Sequence, residues 1–131
     1  MRKALALAAA LSALVVAGVA PAHSVRQADV MHEIQLRSFK VNANGTVTVL
    51  VKIRGWKMYP ALVGKKPNKP DGGHWHIYVD GKYNAFSANP TRGTTTKLEH
   101  GDHKIYVALA NNDHSPVKGT HRSRTVSVMV G

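Results

Sequence analysis

The chain has 131 residues, of which 44% are hydrophobic and 19% charged, and 18 Lys and Arg against 7 Asp and Glu give a formal net charge of +11. This length predicts one small domain with a modest core. The sequence contains no cysteine, which excludes a disulfide scaffold, thiolate-ligated zinc, iron–sulfur or blue-copper centres, and a cysteine nucleophile.

The first 22 residues have the pattern of a secretory signal peptide. Two basic residues precede an apolar run over residues 4–20, and residues 20–22 form a small-x-small cleavage signal. An uncleaved anchor is the alternative, because the run is nearly long enough to span a bilayer. The alanine-rich run and the cleavage signal favour removal. We therefore predict a signal peptide at 1–22 and an exported domain at 23–131, secreted or in the cell envelope, without a further membrane span.

The rest of the chain alternates apolar and polar side chains in the manner of short β-strands. The clearest run is 46–54, where every second side chain is apolar. Asp80-Gly81 is a signal for a two-residue hairpin with a type I′ turn. Residues 55–73 hold several prolines and lysines and are predicted to form the longest loop. The predicted strands are 30–37, 46–54, 74–80, 82–87, 94–98, 103–110 and 122–130.

About seven short strands, with regular turns and no helical periodicity after the signal, predict an all-β fold. The best fit is an immunoglobulin-like antiparallel β-sandwich. Trp75 has the same parity as Ile77 and Val79, so it is expected to face the core from the third strand. His103 stands at the corner that enters the sixth strand, where such sandwiches often have tyrosine, and is predicted to hydrogen-bond the backbone there.

Histidines carry the most visible chemistry of the sequence, which has eight of them. His74 and His76 are two apart on one predicted strand, so both side chains point to the face opposite Trp75 and are expected on the outer surface. Their separation of about 6–7 Å suits two imidazoles on one metal ion. The motif is short, and exposed histidine pairs also occur on strands that bind nothing.

The topology of such a sandwich adds further candidate ligands. Its third and sixth strands are antiparallel neighbours and the seventh flanks the sixth, which brings the loop after residue 110 close to the pair. Imidazole and carboxylate donors suit copper or zinc, bound at neutral pH and released on acidification. In the alternative interpretation, Asp113 only caps a turn and His121 is a solvated basic residue. The predicted metal ligands are His74, His76, Asp113, His114 and His121.

Basic residues concentrate in the second predicted strand and the long loop, with Trp56 and Tyr59 among them. This pattern supports a second hypothesis, a cationic accessory or adhesion domain that binds anionic envelope polymers. A cationic surface without a dedicated partner is an equal alternative, since net charge acts first on solubility. Export argues against nucleic acid as a natural target. The basic residues concerned are Lys52, Arg54, Lys57, Lys65, Lys66 and Lys69.

Catalytic motifs are not evident in the sequence. It has no Gly-x-Ser-x-Gly elbow, no phosphate loop and no Rossmann fingerprint. A metal-dependent enzyme would need an open metal position and a general base, for which Asp71 and Asp113 are the candidates. We therefore predict a non-enzymatic binding domain.

Three segments together resemble small exported bacterial immunoglobulin-like proteins of uncharacterised function. These segments are the Gly-His-x-His strand at 73–81, the Leu-x-x-Gly-x-His corner at 98–103 and the His-x-Pro loop at 112–117. The resemblance covers about residues 71–130. It implies a compact immunoglobulin-like sandwich and no established activity.

Overall fold

A computed structural model describes residues 31–119 and 121–131, so the predicted signal peptide lies outside the described residues. Within them, eight strands and one short 3-10 turn at Pro60–Leu62 follow in chain order. No helix of this part is long and apolar enough to cross a membrane. The strands are β1 Glu33–Val41, β2 Val47–Arg54, β3 Lys57–Met58, β4 Gly72–Val79, β5 Lys82–Ser87, β6 Arg92–Thr94, β7 Gly101–Ala110 and β8 Val126–Val130.

The strands form two sheets, which confirms the predicted β-sandwich. The first sheet has the order β1-β2-β6, and the second has the order β3-β4-β7-β8, with β5 also paired to β4. Apart from the two-residue parallel pair of β3 and β4, all pairs are antiparallel. As predicted, β4 and β7 are antiparallel neighbours and β8 flanks β7.

The core lies between the two sheets and takes the apolar side chain at every second strand position. Trp75 and Ile77 on β4 are fully buried, as the parity predicted. The indole Nε1 of Trp75 donates to the carbonyl of Asn89 at 2.7 Å. Gly93 leaves room for this ring, since a Cβ there would lie 2.5 Å from Cη2 of Trp75.

Some strand ends differ from the prediction. The reason is either a side-chain hydrogen bond that takes the place of backbone pairing or a β-bulge that breaks the alternation of side chains. β1 continues to Val41 because a bulge between Leu36 and Ser38 changes the side-chain parity at residue 37. The predicted strand 94–98 ends at Thr94, because the Thr95 hydroxyl accepts the bond from the Val47 amide at 2.9 Å. β3 lies inside the segment that we predicted as loop.

Two local predictions near the hairpin are confirmed. Asp80 and Gly81 have φ of 54° and 79°, as a type I′ turn requires. His103 lies 2.8 Å from the Glu99 carbonyl through Nε2 and 2.7 Å from the Asp80 carboxylate through Nδ1. The carbonyl first, and then the carboxylate, raise the pKa of His103. Because both partners are acceptors, the imidazolium satisfies them best, and His103 has the structural role expected at this corner.

Candidate metal site

Three imidazoles meet on the outer face of the second sheet. Nε2 of His74 lies 2.8 Å from Nε2 of His76 and 3.1 Å from Nδ1 of His114. Nε2 of His76 lies 3.2 Å from the same Nδ1 atom. The three residues form a group whose nitrogens could hold a metal ion. Three of the five predicted site residues are therefore brought together, and we call them the histidine cluster.

The backbone of β4 and its register with β7 position two members of the cluster. His74 and His76 alternate with Trp75, so the burial of the indole in the core fixes both imidazoles on the opposite face. Their partners across the ladder are Ala110 and Ala108. The methyl groups of these alanines leave space for the two rings above the sheet.

The third member comes from the loop between β7 and β8, which folds into a compact turn. The amide of His114 donates to the Asn111 carbonyl at 2.9 Å, and His114 has a φ of 67°. The Asp113 carboxylate accepts from the Ser115 amide at 3.0 Å and from its hydroxyl. The hydrogen bonds from Ser115 lower the pKa of Asp113. Asp113 therefore stabilises the turn that presents His114. This is the turn-capping role given above as the alternative to metal binding.

His121 lies outside the cluster. Its Nδ1 is 2.8 Å from the backbone carbonyl of His32, and its ring packs edge-on against that of His32 with 5.8 Å between centroids. The pairing with β7 was predicted correctly, because Arg122 forms a bridge with Ala108. The side chain of His121, however, turns toward the start of β1 and away from β4.

His74 and His76 are buried rather than exposed, with 0% and 4% of their surface accessible. Rings from β5 and the loop cover them. Phe86 lies 5.7 Å from His74 and Tyr83 lies 4.9 Å from His76, measured between ring centroids. The predicted face was correct, but alternation along β4 says nothing about side chains that fold over it from β5.

Trp56 belongs to the support of this site and not to a basic surface. It was predicted to stand among the loop lysines, but only 8% of its surface is exposed. Its Nε1 donates to the backbone carbonyl of His74 at 3.2 Å. The apolar character of the indole within a lysine-rich segment was the signal that could have placed it in the core.

Burial disfavours protonation of His74 and His76, the two members of the cluster that lie on β4. Desolvation lowers the pKa of His74 to about 4, and the neighbouring His114 acts in the same direction. Desolvation also lowers the pKa of His76 to about 4, with smaller contributions from His74 and His114. Protons therefore compete for these nitrogens only at a pH well below the 6.5 expected from the sequence.

The same shifts predict that the metal-free domain loses stability as the pH falls from about 6.5 to about 4. Unfolded histidines bind protons near pH 6.5, whereas folded His74 and His76 bind them near pH 4. The unfolded state is therefore favoured across this window, by roughly a few kcal/mol, and the loss levels off below it. Urea unfolding at pH 7.5, 5.5 and 4.5 measures this loss.

The matched control for this prediction replaces both histidines with glutamine. The variant should show a shallower loss of stability over the same window, because carboxylates and His103 titrate in both proteins. Equal pH slopes for the two proteins would contradict the assignment of the loss to His74 and His76.

Gly73, which precedes the pair, has no room for a side chain. A Cβ at this position would lie 2.2 Å from the carbonyl oxygen of Ala110. We expect Gly73→Ala to push β4 away from β7 and to lower the free energy of unfolding by about 1–3 kcal/mol, as overpacking does. Chemical unfolding measures the change, with Gly131→Ala as the control because that position is open. An unchanged stability would show that the strand contact can relax.

Comparison with known proteins finds similarity only to solved structures. No protein-family model matches the chain, and no curated protein matches it. Fibronectin(III)-like modules of Clostridium thermocellum CbhA are similar at 17% identity and a TM-score of 0.43, over 74% of this chain and 94% of that one. The central fibronectin-III array of RIM-binding protein is similar at 17% identity and a TM-score of 0.38, over 75% of this chain and 34% of that one. The assignment of the fold as a β-sandwich is based on the two sheets described above and not on these similarities.

Proposed function

We propose that this chain is an exported, non-enzymatic binding domain that takes up one transition-metal ion, copper or zinc. The ligand atoms are Nε2 of His74, Nε2 of His76 and Nδ1 of His114. The observation that carries the proposal is the triangle of these three nitrogens, with sides of 2.8, 3.1 and 3.2 Å.

Protons alone cannot satisfy such a triangle. Each ring nitrogen either carries a hydrogen or presents a lone pair. Each side of the triangle needs one nitrogen of each kind, and three nitrogens cannot be divided so that every pair differs. At least one pair of like groups therefore faces each other at hydrogen-bond distance. A cation that accepts three lone pairs removes this conflict.

The dimensions of the triangle fit a small transition-metal ion. Bonds of about 2.0–2.1 Å place two ligand nitrogens about 2.9 Å apart at a right angle and about 3.3 Å apart at a tetrahedral angle. The observed sides of 2.8–3.2 Å lie close to this range. Three imidazoles favour copper or zinc over magnesium or calcium, which prefer oxygen ligands.

The buried imidazole of His74 is only partly satisfied by the rest of the fold. Nδ1 of His74 is buried and has no hydrogen-bond partner among the described residues. An unpaired buried polar group costs about 1–3 kcal/mol, so an apolar residue would serve packing better. This cost supports a role for His74 beyond packing, which the proposal assigns to its Nε2 as a metal ligand.

A binding role fits better than catalysis because both candidate general bases are engaged elsewhere. Asp113 accepts from Ser115 within its turn. Asp71 accepts from the Tyr59 hydroxyl at 2.9 Å and pairs with Lys57 at 3.4 Å. Export is part of the proposal because of the signal-peptide pattern at 1–22, and the intact mass of protein recovered outside the cytoplasm tests it.

Calorimetric titration of the purified domain with Cu²⁺ and Zn²⁺ at pH 7.4 tests the proposal. We expect saturable binding of one ion per chain, with an affinity that changes little between 50 and 500 mM salt, because imidazole coordination releases no counterions. The cationic hypothesis instead predicts binding to an anionic polymer that weakens steeply with salt. Weak, non-saturating heats with both metals would overturn the metal-binding proposal.

A further inference from the structure

We propose that the metal held by the histidine cluster keeps a coordination position open toward an aromatic pocket, and that this position takes a small organic anion with an aromatic body. The inference rests on the proposed function, since the anion would bind to the metal. It goes further by naming a ligand class and the residues that select it.

The pocket adjoins two of the three ligands. A cavity of about 420 Å³ is lined by His76, Tyr78, Tyr83 and His114. His74 is fully buried and does not line it. The side of the cluster that opens toward solvent is therefore the side of His76 and His114. The volume lies within the range of about 300–1,000 Å³ that small-molecule sites occupy.

The described residues provide no fourth ligand of the usual kind. The candidate metal group consists of three histidines without a carboxylate. Asp113, the one carboxylate among the predicted ligands, accepts a hydrogen bond from the Ser115 amide instead. Zinc prefers four ligands, and a three-histidine site leaves one position for a donor from outside the protein.

The walls of the pocket favour an aromatic ligand. The ring of Tyr83 meets that of His76 edge-on at 4.9 Å, yet half of Tyr83 remains exposed, at 51%. Tyr78, which also lines the cavity, lies 6.3 Å from Tyr83 between ring centroids, and Phe86 on β5 is a further exposed ring, at 48%, outside the lining. Exposed aromatic rings next to a cavity offer edge-to-face and stacking contacts to another ring.

Charge favours an anion at the same place. The whole sequence carries a formal net charge of +11, and a metal ion bound by the cluster would add positive charge beside the cavity. The described residues place no acidic side chain in the lining of this cavity. A carboxylate attached to an aromatic ring therefore combines the donor that the metal lacks with the body that the walls accept.

The test compares benzoate with acetate, which share the same donor group. Cu²⁺-loaded protein is titrated with each anion, and the visible absorption of the copper reports whether the ligand set changes. Copper retained after desalting shows that the anion has not removed the metal. We expect saturable spectral changes with both anions and at least about tenfold tighter binding of benzoate. Absence of any change up to 50 mM would overturn the open position.

Two variants test the role of the pocket. Tyr83→Ala should load copper and bring the affinity for benzoate to within about threefold of that for acetate. Phe39→Ala removes an aromatic ring of similar exposure, 41%, from β1 in the other sheet and should leave the preference unchanged. Equal binding of the two anions by the unaltered protein would overturn aromatic selection. A protein that binds neither Cu²⁺ nor Zn²⁺ would instead refute the proposed function.

Discussion

Replacing His74 and His76 together with alanine should lower the affinity for Cu²⁺ and Zn²⁺ by about a thousandfold or more. Two of three ligand atoms are lost, and loss of a residue that merely supports a ligand already costs about 10–100-fold. The fold should persist, because both side chains lie on the outer face of the second sheet while the core on the inner face stays intact. Calorimetry gives the affinity, and near-ultraviolet circular dichroism reports the packing of Trp75.

Single histidine variants separate the observed cluster from the ligand set that the sequence predicted. His114→Ala should weaken binding strongly, because Nδ1 of His114 completes the triangle. His121→Ala should change the affinity by less than about threefold, since its Nδ1 contacts the carbonyl of His32. His100→Ala, at an exposed position outside the cluster, serves as the control and should leave the affinity unchanged. A large loss of metal affinity in His121→Ala would support His121 as a ligand, as the sequence predicted, and would contradict a site made of the three clustered histidines alone.

Trp75→Ala should be the most destabilising single substitution in β4, with a loss of about 3–5 kcal/mol in the free energy of unfolding. The ring is fully buried, and its Nε1 bond to Asn89 would also be lost. The cavity would open directly behind the histidine pair, so metal affinity should fall together with stability. Urea unfolding measures the first effect and metal titration the second.

Phe39→Ala is the control for this loss, because its ring is exposed on β1 and its removal should cost less than about 0.5 kcal/mol. Trp75→Phe should fall between the two, since it retains a ring but not the indole hydrogen bond. A loss below about 1.5 kcal/mol for Trp75→Ala would show that the two sheets collapse into the space, contrary to the packing described above.

Periodicity predicted the fold because alternation and turn residues are local signals. The run at 46–54 and the Asp80-Gly81 turn each report on neighbouring residues only, and both are confirmed. The proximity of His74 and His76 to the loop after residue 110 was predicted from the topology of the sandwich, and the pairing of β4 with β7 agrees with it. This proximity led correctly to the loop that carries His114.

The composition of the site was harder to predict, because it depends on where loop side chains turn. Asp113 is adjacent to His114 in the chain, yet the Ser115 bonds fold its carboxylate into the turn. The last strand was predicted to begin beside His121 but begins at Val126, and the ring of His121 packs on His32, from the other end of the described chain. The cover that Phe86 and Tyr83 form over β4 likewise depends on tertiary packing that alternation does not report.

The most direct test of the metal site is a long-range ¹H–¹⁵N correlation spectrum of the imidazoles, recorded without metal and with one equivalent of Zn²⁺. The geometry predicts that His74 and His76 bind through Nε2 and carry their proton on Nδ1, whereas His114 binds through Nδ1 and carries its proton on Nε2. The ring signals of these three residues should therefore shift on addition of zinc, while those of His100 and His103 stay in place. Unchanged signals of the cluster, or shifts confined to other histidines, would contradict the proposed site.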